Sequence, residues 1–288
     1  MKTHLPALVL ILSLFIACSS PSKTTPSGGE VKPHNSSDKA DKNRTANSDA
    51  NPKKVVVRKR RTVAEMTAII EKDKKNPKAY FSRGTKLFYQ EKRPLKAIED
   101  FTKAIELDPN YEKAYFNRGF VHTSLNNISE AIADFKKVIE LNPQNGMAMN
   151  QLGLLMEKSK KMKEALSHYS KALSLNPKLT KAWYNRGLLF MMQRKYKKAL
   201  PDFDEALKLK PDYIKALKNR AFVRYNLKNL VGALQDVNSA IAKDPAYGSA
   251  YFVRAMIFYR QKELDKAYTD LNKAIELNQR AVAVYYML

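Results

Sequence analysis

Cysteine is almost missing from this 288-residue sequence, in which Cys18 is the only one. An internal disulfide is therefore excluded, and the stability of the fold must come from packing. Histidine is scarce too, and His34, His122 and His168 stand in unrelated sequence settings. The sequence also lacks a glycine-rich phosphate loop, a cluster of metal ligands and a nucleophile elbow. We therefore predict no enzymatic activity, no catalytic residue, no metal and no cofactor.

Long apolar runs are missing as well. The run ALVLILSLFIA, residues 7–17, follows Lys2 and ends directly before Cys18. About 11 apolar residues are too few for a stable transmembrane helix, so the run predicts a secretory signal peptide at residues 1–17. Its FIAC ending resembles the cleavage box of bacterial lipoproteins. The resemblance implies that Cys18 carries lipid such as palmitate, which anchors the protein in the cell envelope. It also implies delivery to the outer membrane, because Ser19 follows the cysteine. An ordinary cleaved signal with an unmodified Cys18 is the alternative.

Residues 18–61 are predicted to form a disordered tether between this anchor and the rest of the chain. They are rich in Ser, Thr, Asn, Lys, Pro and Asp and show no hydrophobic period, so they bury too little apolar surface to fold. The tether ends in KKVVVRKRR at residues 53–61. Two interpretations of this basic run stay open: it contacts anionic lipid or another polyanion, or it is a solvated spacer.

A period of 34 residues follows the tether. In the segment 178–211, Trp183, Gly187 and Phe190 share one face of a predicted helix, and Pro211 ends the second helix of the segment. The proline recurs at Pro109, Pro143, Pro177, Pro211 and Pro245. The small residue of the first helix recurs at Gly84, Gly119, Gly153, Gly187, Ala221 and Ala255, and an alanine of the second at Ala97, Ala131, Ala165, Ala199, Ala233 and Ala267. The pattern resembles the tetratricopeptide repeat (TPR), which implies an all-α, right-handed solenoid of about six helix-turn-helix repeats.

The period also sets the predicted boundaries. Six repeats fill residues 77–281, at 77–111, 112–145, 146–179, 180–213, 214–247 and 248–281. Helical spacing in TVAEMTAIIEKDK predicts a capping helix within residues 62–76, which covers the open end of the first repeat. We expect residues 282–288 to start a truncated helix that covers the last repeat only in part.

Two charged positions recur together in every repeat except the third. An arginine stands directly before the small residue of the first helix, and an aspartate stands three residues after the alanine of the second helix. Because repeat three lacks both, we predict structural ion pairs between the two helices rather than catalytic charges. The predicted pairs are Arg83–Asp100, Arg118–Asp134, Arg186–Asp202, Arg220–Asp236 and Arg254–Asp270.

The TPR resemblance implies that the first helices line a concave groove that binds a peptide. Aromatic side chains in such a groove suit an extended or helical peptide, and amide side chains resemble the ladder that holds a peptide backbone in some TPR superhelices. The candidate residues are Phe116, Phe120, Tyr184, Phe222, Tyr225, Asn117, Gln151, Asn185 and Asn219. Lys181 and Lys215 make the edge basic and favour an acidic peptide. Packing between neighbouring first helices is the alternative role for part of this surface.

Acidic residues are too few to balance the basic ones, since 28 Asp and Glu stand against 52 Lys and Arg, which gives a net charge of +24. Such an excess suits nucleic acid, acidic glycans or anionic lipid. The lysines, however, are scattered around both helices of every predicted repeat, which indicates a solvated surface. The predicted export argues further against a nucleic-acid partner.

Taken together, these features predict a non-enzymatic, membrane-anchored scaffold that binds a protein or peptide in its groove and serves the assembly of an envelope complex. A surface-exposed adhesin for acidic glycans or host proteins is one alternative. A regulatory adaptor of a cell-wall enzyme is another. The sequence leaves the partner, the membrane leaflet and the oligomeric state open.

Overall fold

A computed structural model of the chain describes residues 62–277, which form thirteen α-helices and no strand. The helices are α1 (Val63–Lys72), α2 (Pro77–Tyr89), α3 (Pro94–Leu107), α4 (Glu112–Ser124), α5 (Ile128–Leu141), α6 (Gly146–Lys158), α7 (Met162–Leu175), α8 (Thr180–Met192), α9 (Tyr196–Leu209), α10 (Ile214–Asn226), α11 (Leu230–Lys243), α12 (Gly248–Arg260) and α13 (Leu264–Leu277). From α2 onwards they pair in chain order into six hairpins, and each hairpin packs on the next. The predicted all-α repeat solenoid is confirmed. The predicted signal peptide, Cys18, the tether and residues 282–288 lie outside the described residues.

The second helices of repeats one, two, three and five end in the same cap. The residue after the helix is extended, with φ between −145° and −141° at Asp108, Asn142, Asn176 and Asp244. Its side-chain oxygen accepts a hydrogen bond from the N–H two residues further on, at 2.9 to 3.1 Å. The proline that follows forces this extended conformation and prevents another helical turn. The recurring prolines therefore separate one repeat from the next.

The turn inside each hairpin contains one residue in the left-handed region. These residues have φ of 57° to 67° and lie 34 positions apart: Lys92, Asn126, Lys160, Arg194, Lys228 and Lys262. None is a glycine, although side chains other than glycine and asparagine disfavour this conformation. The packing of the two helices, rather than the local preference of the turn residue, therefore sets this geometry. Repeat one has an additional residue in its turn, between Tyr89 and Lys92.

The two helices of a hairpin approach closely at the small residue of the first helix. A β-carbon added to Gly84 or Gly187 would lie 3.0 or 3.1 Å from the ring of Phe101 or Phe203, and one added to Gly153 would lie 2.6 Å from the ring of Tyr169. In the last two repeats an alanine replaces the glycine, and the second helix has an aliphatic residue in place of the ring. These combinations are Ala221 with Val237 and Ala255 with Leu271. The size of the small residue therefore matches the size of the residue that it faces.

The arginine and the aspartate that recur in five repeats contact each other in the structure. Arg83, Arg118, Arg186, Arg220 and Arg254 each donate two hydrogen bonds to one carboxylate, with Nε–Oδ2 distances of 2.6 to 3.0 Å and Nη2–Oδ1 distances of 2.6 to 2.8 Å. The aspartates are buried, and the arginines are only partly exposed. In repeat three, Leu152 is buried at the arginine position, and His168 stands at the aspartate position.

Four of these guanidinium groups also bond to the second helix of the preceding repeat. The Nη1 atom of Arg186 donates to Ser170 Oγ at 3.3 Å, and that of Arg220 donates to Asp204 Oδ1 at 2.8 Å. Arg118 and Arg254 bond in the same way to residues 16 positions earlier in the chain. One side chain thus joins both helices of its own repeat to the neighbouring repeat, which the sequence analysis did not predict.

Helix α1 occupies the position of a second helix in front of the first repeat. Arg83 Nη1 donates to Thr67 Oγ1 at 3.2 Å, and Thr67 lies 16 residues before it, as Ser170 does before Arg186. The cap of α1 is the same as those of the later second helices, because Asp73 has φ −141° and accepts from Lys75 N–H at 3.0 Å. The start of α1 is fixed by a reciprocal capping box between Thr62 and Glu65. The helix predicted as a cap is therefore in register with the repeats.

Replacing Asp202 with alanine should destabilise the protein strongly. Asp202 is buried and Arg186 is largely buried, so the variant leaves an unpaired guanidinium at the contact between two repeats. We expect a loss of about 3 kcal/mol in the free energy of unfolding, measured by urea denaturation. Glu205→Ala on the same helix is the control, because Glu205 forms only an exposed pair with Lys208 and should cost less than about 1 kcal/mol. Equal losses in the two variants would contradict a structural role for the buried pair.

Replacing Gly153 with alanine should also destabilise the protein, because the added β-carbon would lie 2.6 Å from the buried ring of Tyr169. We expect a net loss of about 1–2 kcal/mol in thermal or urea unfolding, even though alanine favours the helix by about 1 kcal/mol. Gly187→Ala should cost less, because its β-carbon would lie 3.1 Å from Phe203. Adding Tyr169→Leu to Gly153→Ala should cost less than the sum of the two single changes. Strict additivity would refute the proposed match in size.

Candidate peptide-binding groove

The first helices of the repeats form one face of the solenoid. Successive first helices contact each other, as α8 does with α10 and α10 does with α12, whereas successive second helices lie further apart. Because successive first helices are closer together than successive second helices, the array curves with its first helices on the inside. The first helices α2, α4, α6, α8, α10 and α12 therefore line the inner, concave surface, which we call the groove.

The predicted asparagines of the groove bond to the first helix of the preceding repeat. The carboxamide nitrogen donates to Thr85 Oγ1 at 3.4 Å from Asn117, to Asn150 Oδ1 at 3.2 Å from Asn185, and to the hydroxyl of Tyr184 at 3.1 Å from Asn219. Asn219 is only 3% exposed, so the prediction that it faces a bound peptide is wrong. Its carboxamide N–H joins α10 to α8 by the bond to Tyr184, and this contact between two repeats buries the side chain.

Two of the predicted asparagines keep part of their hydrogen-bonding capacity for a ligand. Asn117 and Asn185 are half-buried, and within residues 62–277 their amide oxygens accept no hydrogen bond. Gln151 is half-buried on α6, at the same register position of repeat three. An amide oxygen at this position is able to accept a bond from the main-chain N–H of a peptide. The structure therefore leaves a shorter row of amides than the sequence predicted.

The predicted aromatic residues divide between the core and the groove. Phe116 is only 9% exposed and packs edge-on against Phe135, with ring centroids 5.4 Å apart, so its assignment to the groove is wrong. Phe120 is half-buried, and its ring lies 6.1 Å from that of Phe88 and 6.4 Å from that of Tyr89. Core packing explains Phe116 because its ring closes the gap between α4 and α5. This is the alternative that the sequence analysis left open.

The predicted aromatic residues of repeats four and five remain partly accessible. Phe222 is half-buried and edge-on to Tyr196 at 6.3 Å, and Tyr184 packs on Tyr213 at 4.7 Å. Tyr225 is half-buried under the guanidinium of Arg260, which lies 5.0 Å from the ring centroid. Burial raises the pKa of Tyr184, so its hydroxyl stays protonated at neutral pH. These residues offer both apolar surface and hydroxyl groups to a ligand.

Repeat three adds a polar contact beside the groove. Tyr169 stands where the other early repeats have phenylalanine, and its hydroxyl donates to Glu157 Oε2 at 2.9 Å. Burial raises the pKa of Glu157, although the hydrogen bond from Tyr169 opposes this effect. The additional hydroxyl of Tyr169 is visible in the sequence, but the sequence does not show that it reaches a carboxylate on the facing helix.

Lysines stand at the starts of α8 and α10. Lys181 and Lys215 are exposed, as expected for a basic edge of the groove. Lys218, one turn after Lys215, is half-buried, and burial together with the charge of Lys215 lowers its pKa to about 8. Partial burial of the ammonium group and the charge of Lys210 also lower the pKa of Lys181. The burial of Lys218 follows from the packing of neighbouring helices, so the sequence of one repeat does not show it.

The described part of the chain has neither a metal-binding cluster nor a membrane-spanning helix. Within residues 62–277, His, Asp and Glu side chains nowhere converge in a group of three that could hold a metal ion. The helices of the same residues are too short and too polar to cross a bilayer. The arrangement of the groove is suited to non-covalent binding by apolar surface, amides, hydroxyl groups and ammonium groups.

Comparison with solved structures identifies similar solenoids. YrrB, described as a TPR protein with an unusual peptide-binding site, is 25% identical, with 66% of this chain and 97% of that chain covered and a TM-score of 0.52. Pseudomonas aeruginosa PilF is 19% identical over 73% of this chain and 94% of its own, with a TM-score of 0.63. MamA from Desulfovibrio magneticus RS-1 is 19% identical over 59% and 96%, with a TM-score of 0.54. None of the curated protein sequences compared with the chain matches it significantly.

Models of the tetratricopeptide repeat family match most of the solenoid. The matches cover residues 86–125, 112–145, 148–179, 180–213 and 215–282, which together make up more than half of the chain. They coincide with the helical hairpins, the recurring prolines and the close approach at the small residues. The chain belongs to the tetratricopeptide repeat family.

Proposed function

We propose that this protein is a non-enzymatic, lipid-anchored scaffold that holds a protein or peptide partner in its groove during the assembly of an envelope complex. TPR solenoids typically serve as protein-interaction scaffolds, and the similar protein YrrB is described as having a peptide-binding site. The observation that carries the proposal is the row of half-buried aromatic and amide side chains along the first helices. Surface of this kind is typical of binding sites in which a few aromatic anchors contribute most of the affinity.

A second candidate function follows from the charge of the chain. The net charge of +24 suits an adhesin that binds acidic glycans or host proteins at the cell surface. Binding to a polyanion weakens steeply with salt, whereas binding in an apolar groove loses much less. Salt dependence of partner binding therefore separates the two functions. Regulation of a cell-wall enzyme would use the same groove and differs only in the partner.

Removing two aromatic side chains from the groove should abolish partner capture. Phe120 and Phe222 lie on α4 and α10 and are half-buried, so Phe120→Ala with Phe222→Ala removes apolar surface at two separate points of the groove. If each ring is an anchor worth about 2 kcal/mol, the double variant should bind about 1,000-fold more weakly. The measurement is affinity capture from gently solubilised envelopes, followed by titration of the captured partner.

The matched control removes apolar side chains from the second helices. Leu95 and Val231 are 68% and 71% exposed on α3 and α11, so Leu95→Ala with Val231→Ala should leave capture unchanged. Circular dichroism must first show that both double variants remain folded. Equal capture by the groove variant and the native protein would place binding outside the groove and refute the proposal.

The anchoring part of the proposal rests on Cys18. In the full-length chain, Cys18→Ala should move the protein from the membrane fraction to the soluble fraction and remove the mass of the attached lipid. Two acyl chains hold a protein on a membrane far more firmly than one, so the shift should be nearly complete. The measurement is cell fractionation with mass spectrometry of the mature N-terminus. Ser19→Ala is the control, and an unmodified Cys18 in the native protein would contradict the anchor.

A further inference from the structure

A group of lysines in repeats four and five has no acidic partner. Six lysines of the described residues pair with a nearby glutamate, as Lys103 does with Glu106 and Lys137 with Glu140. Within residues 62–277, Lys181, Lys210 and Lys218 form no ion pair. Lys181 and Lys210 lie close enough together for the charge of Lys210, after burial, to lower the pKa of Lys181, and Lys218 adds a further positive charge on the adjacent first helix.

Two tyrosines that pack on each other lie in the same two repeats as these lysines, and one of them contacts Lys210. Tyr184 on α8 and Lys218 on α10 both stand three residues before the small residue of their first helix, so they occupy equivalent positions on adjacent helices. The ring of Tyr184 packs on Tyr213 at 4.7 Å, and the ammonium of Lys210 lies 5.8 Å from the centroid of the Tyr213 ring. We call Lys181, Tyr184, Lys210, Tyr213 and Lys218 the lysine–tyrosine cluster.

The hydroxyl of Tyr184 is set to act as a hydrogen-bond donor. It accepts a bond from the carboxamide nitrogen of Asn219 at 3.1 Å, so its own proton points to a different acceptor. Within residues 62–277 no hydrogen bond takes up this proton; burial is the main reason for the raised pKa of Tyr184, and the charge of Glu157 on α6 also raises it. The buried Asn219 thereby fixes a neutral donor at the contact between α8 and α10, the two helices that carry Lys181 and Lys218.

Lys218 is the charged member that a ligand would affect most. Its ammonium group is half-buried on the groove side of α10 and lacks a carboxylate, and an unpaired buried charge is unfavourable. An anion that approaches from the groove would compensate this loss of hydration. A main-chain amide or an apolar side chain would not.

We propose that the lysine–tyrosine cluster binds the carboxylate of an aspartate or glutamate side chain in a peptide that occupies the groove. Lys218 and Lys181 supply the charge, and the hydroxyl of Tyr184 donates a hydrogen bond. This inference rests on the proposed function of the groove. A peptide suits the surroundings better than nucleic acid, because Tyr213 packs against the ring of Tyr184 and occupies surface on which a base would otherwise stack. The half-buried Leu188 and Phe222 offer apolar surface beside the cluster for neighbouring peptide side chains.

The test is selection from a random peptide library against the full chain. Peptides of about 12 residues span roughly 40 Å when extended and are long enough to reach several repeats. The native protein should select peptides enriched in Asp and Glu, and Lys218→Met should select peptides without this enrichment. Methionine keeps the length and apolar stem of lysine, so this variant removes the charge with little change in packing. Changing the selected Glu to Gln should weaken binding to the native protein about tenfold and leave binding to Lys218→Met unchanged.

Lys113→Met is the matched control. Lys113 is exposed at the position of repeat two that Lys181 holds in repeat four, but it lies outside the cluster, so its variant should still select acidic peptides. Loss of the enrichment in this control as well would indicate a general effect of charge and overturn the localised site. Peptides selected by the native protein without acidic enrichment would refute the site but leave the proposed groove function intact. A third outcome is that the double variant Phe120→Ala with Phe222→Ala still binds every peptide that the native protein selects. This outcome would refute both the acidic site and the proposed function of the groove.

Discussion

The bidentate contact between an arginine of the first helix and the buried aspartate of the second helix is the interaction on which the solenoid depends. Because the same guanidinium also bonds to the preceding second helix, it couples the closing of one hairpin to the docking of the next. In a linear array each repeat contacts only its neighbours, so stability arises within repeats and at their interfaces. A single side chain that serves both makes the two contributions interdependent.

Repeat three shows what replaces this contact. Leu152 is buried at the arginine position, and the nearby Tyr169 bonds to Glu157 instead. Gly153 must then accommodate a ring that approaches more closely than the rings beside Gly84, Gly119 and Gly187, since an added β-carbon would lie 2.6 Å from it. The middle of the solenoid is therefore held by close packing and by a bond that reaches the groove side. The chemistry of the groove changes at this repeat because its internal structure changes.

The period of the sequence predicts the fold well because hydrophobic spacing, small residues and prolines each act locally. The same spacing could have identified α1 as a second helix, since Thr67 precedes Arg83 by the 16 residues that separate Ser170 from Arg186. It predicts the groove less well. Asn219 and Phe116 share register positions with accessible residues of other repeats, yet both are buried. Exposure at a given register position depends on the side chains of two neighbouring helices, and a single-repeat pattern does not include them.

One register position of the first helices is occupied by an aromatic residue in some repeats and by a lysine in repeat five. At the position three residues before the small residue, Phe81 packs on Tyr111 at 5.1 Å and Tyr184 packs on Tyr213 at 4.7 Å, so an aromatic ring satisfies the packing there. Lys218 holds this position in repeat five, where an aromatic ring would be expected to stabilise the fold more than a half-buried ammonium. Residues that reduce stability without a structural benefit are typical of functional sites. The carboxylate of the proposed ligand would restore what the ammonium of Lys218 loses in hydration.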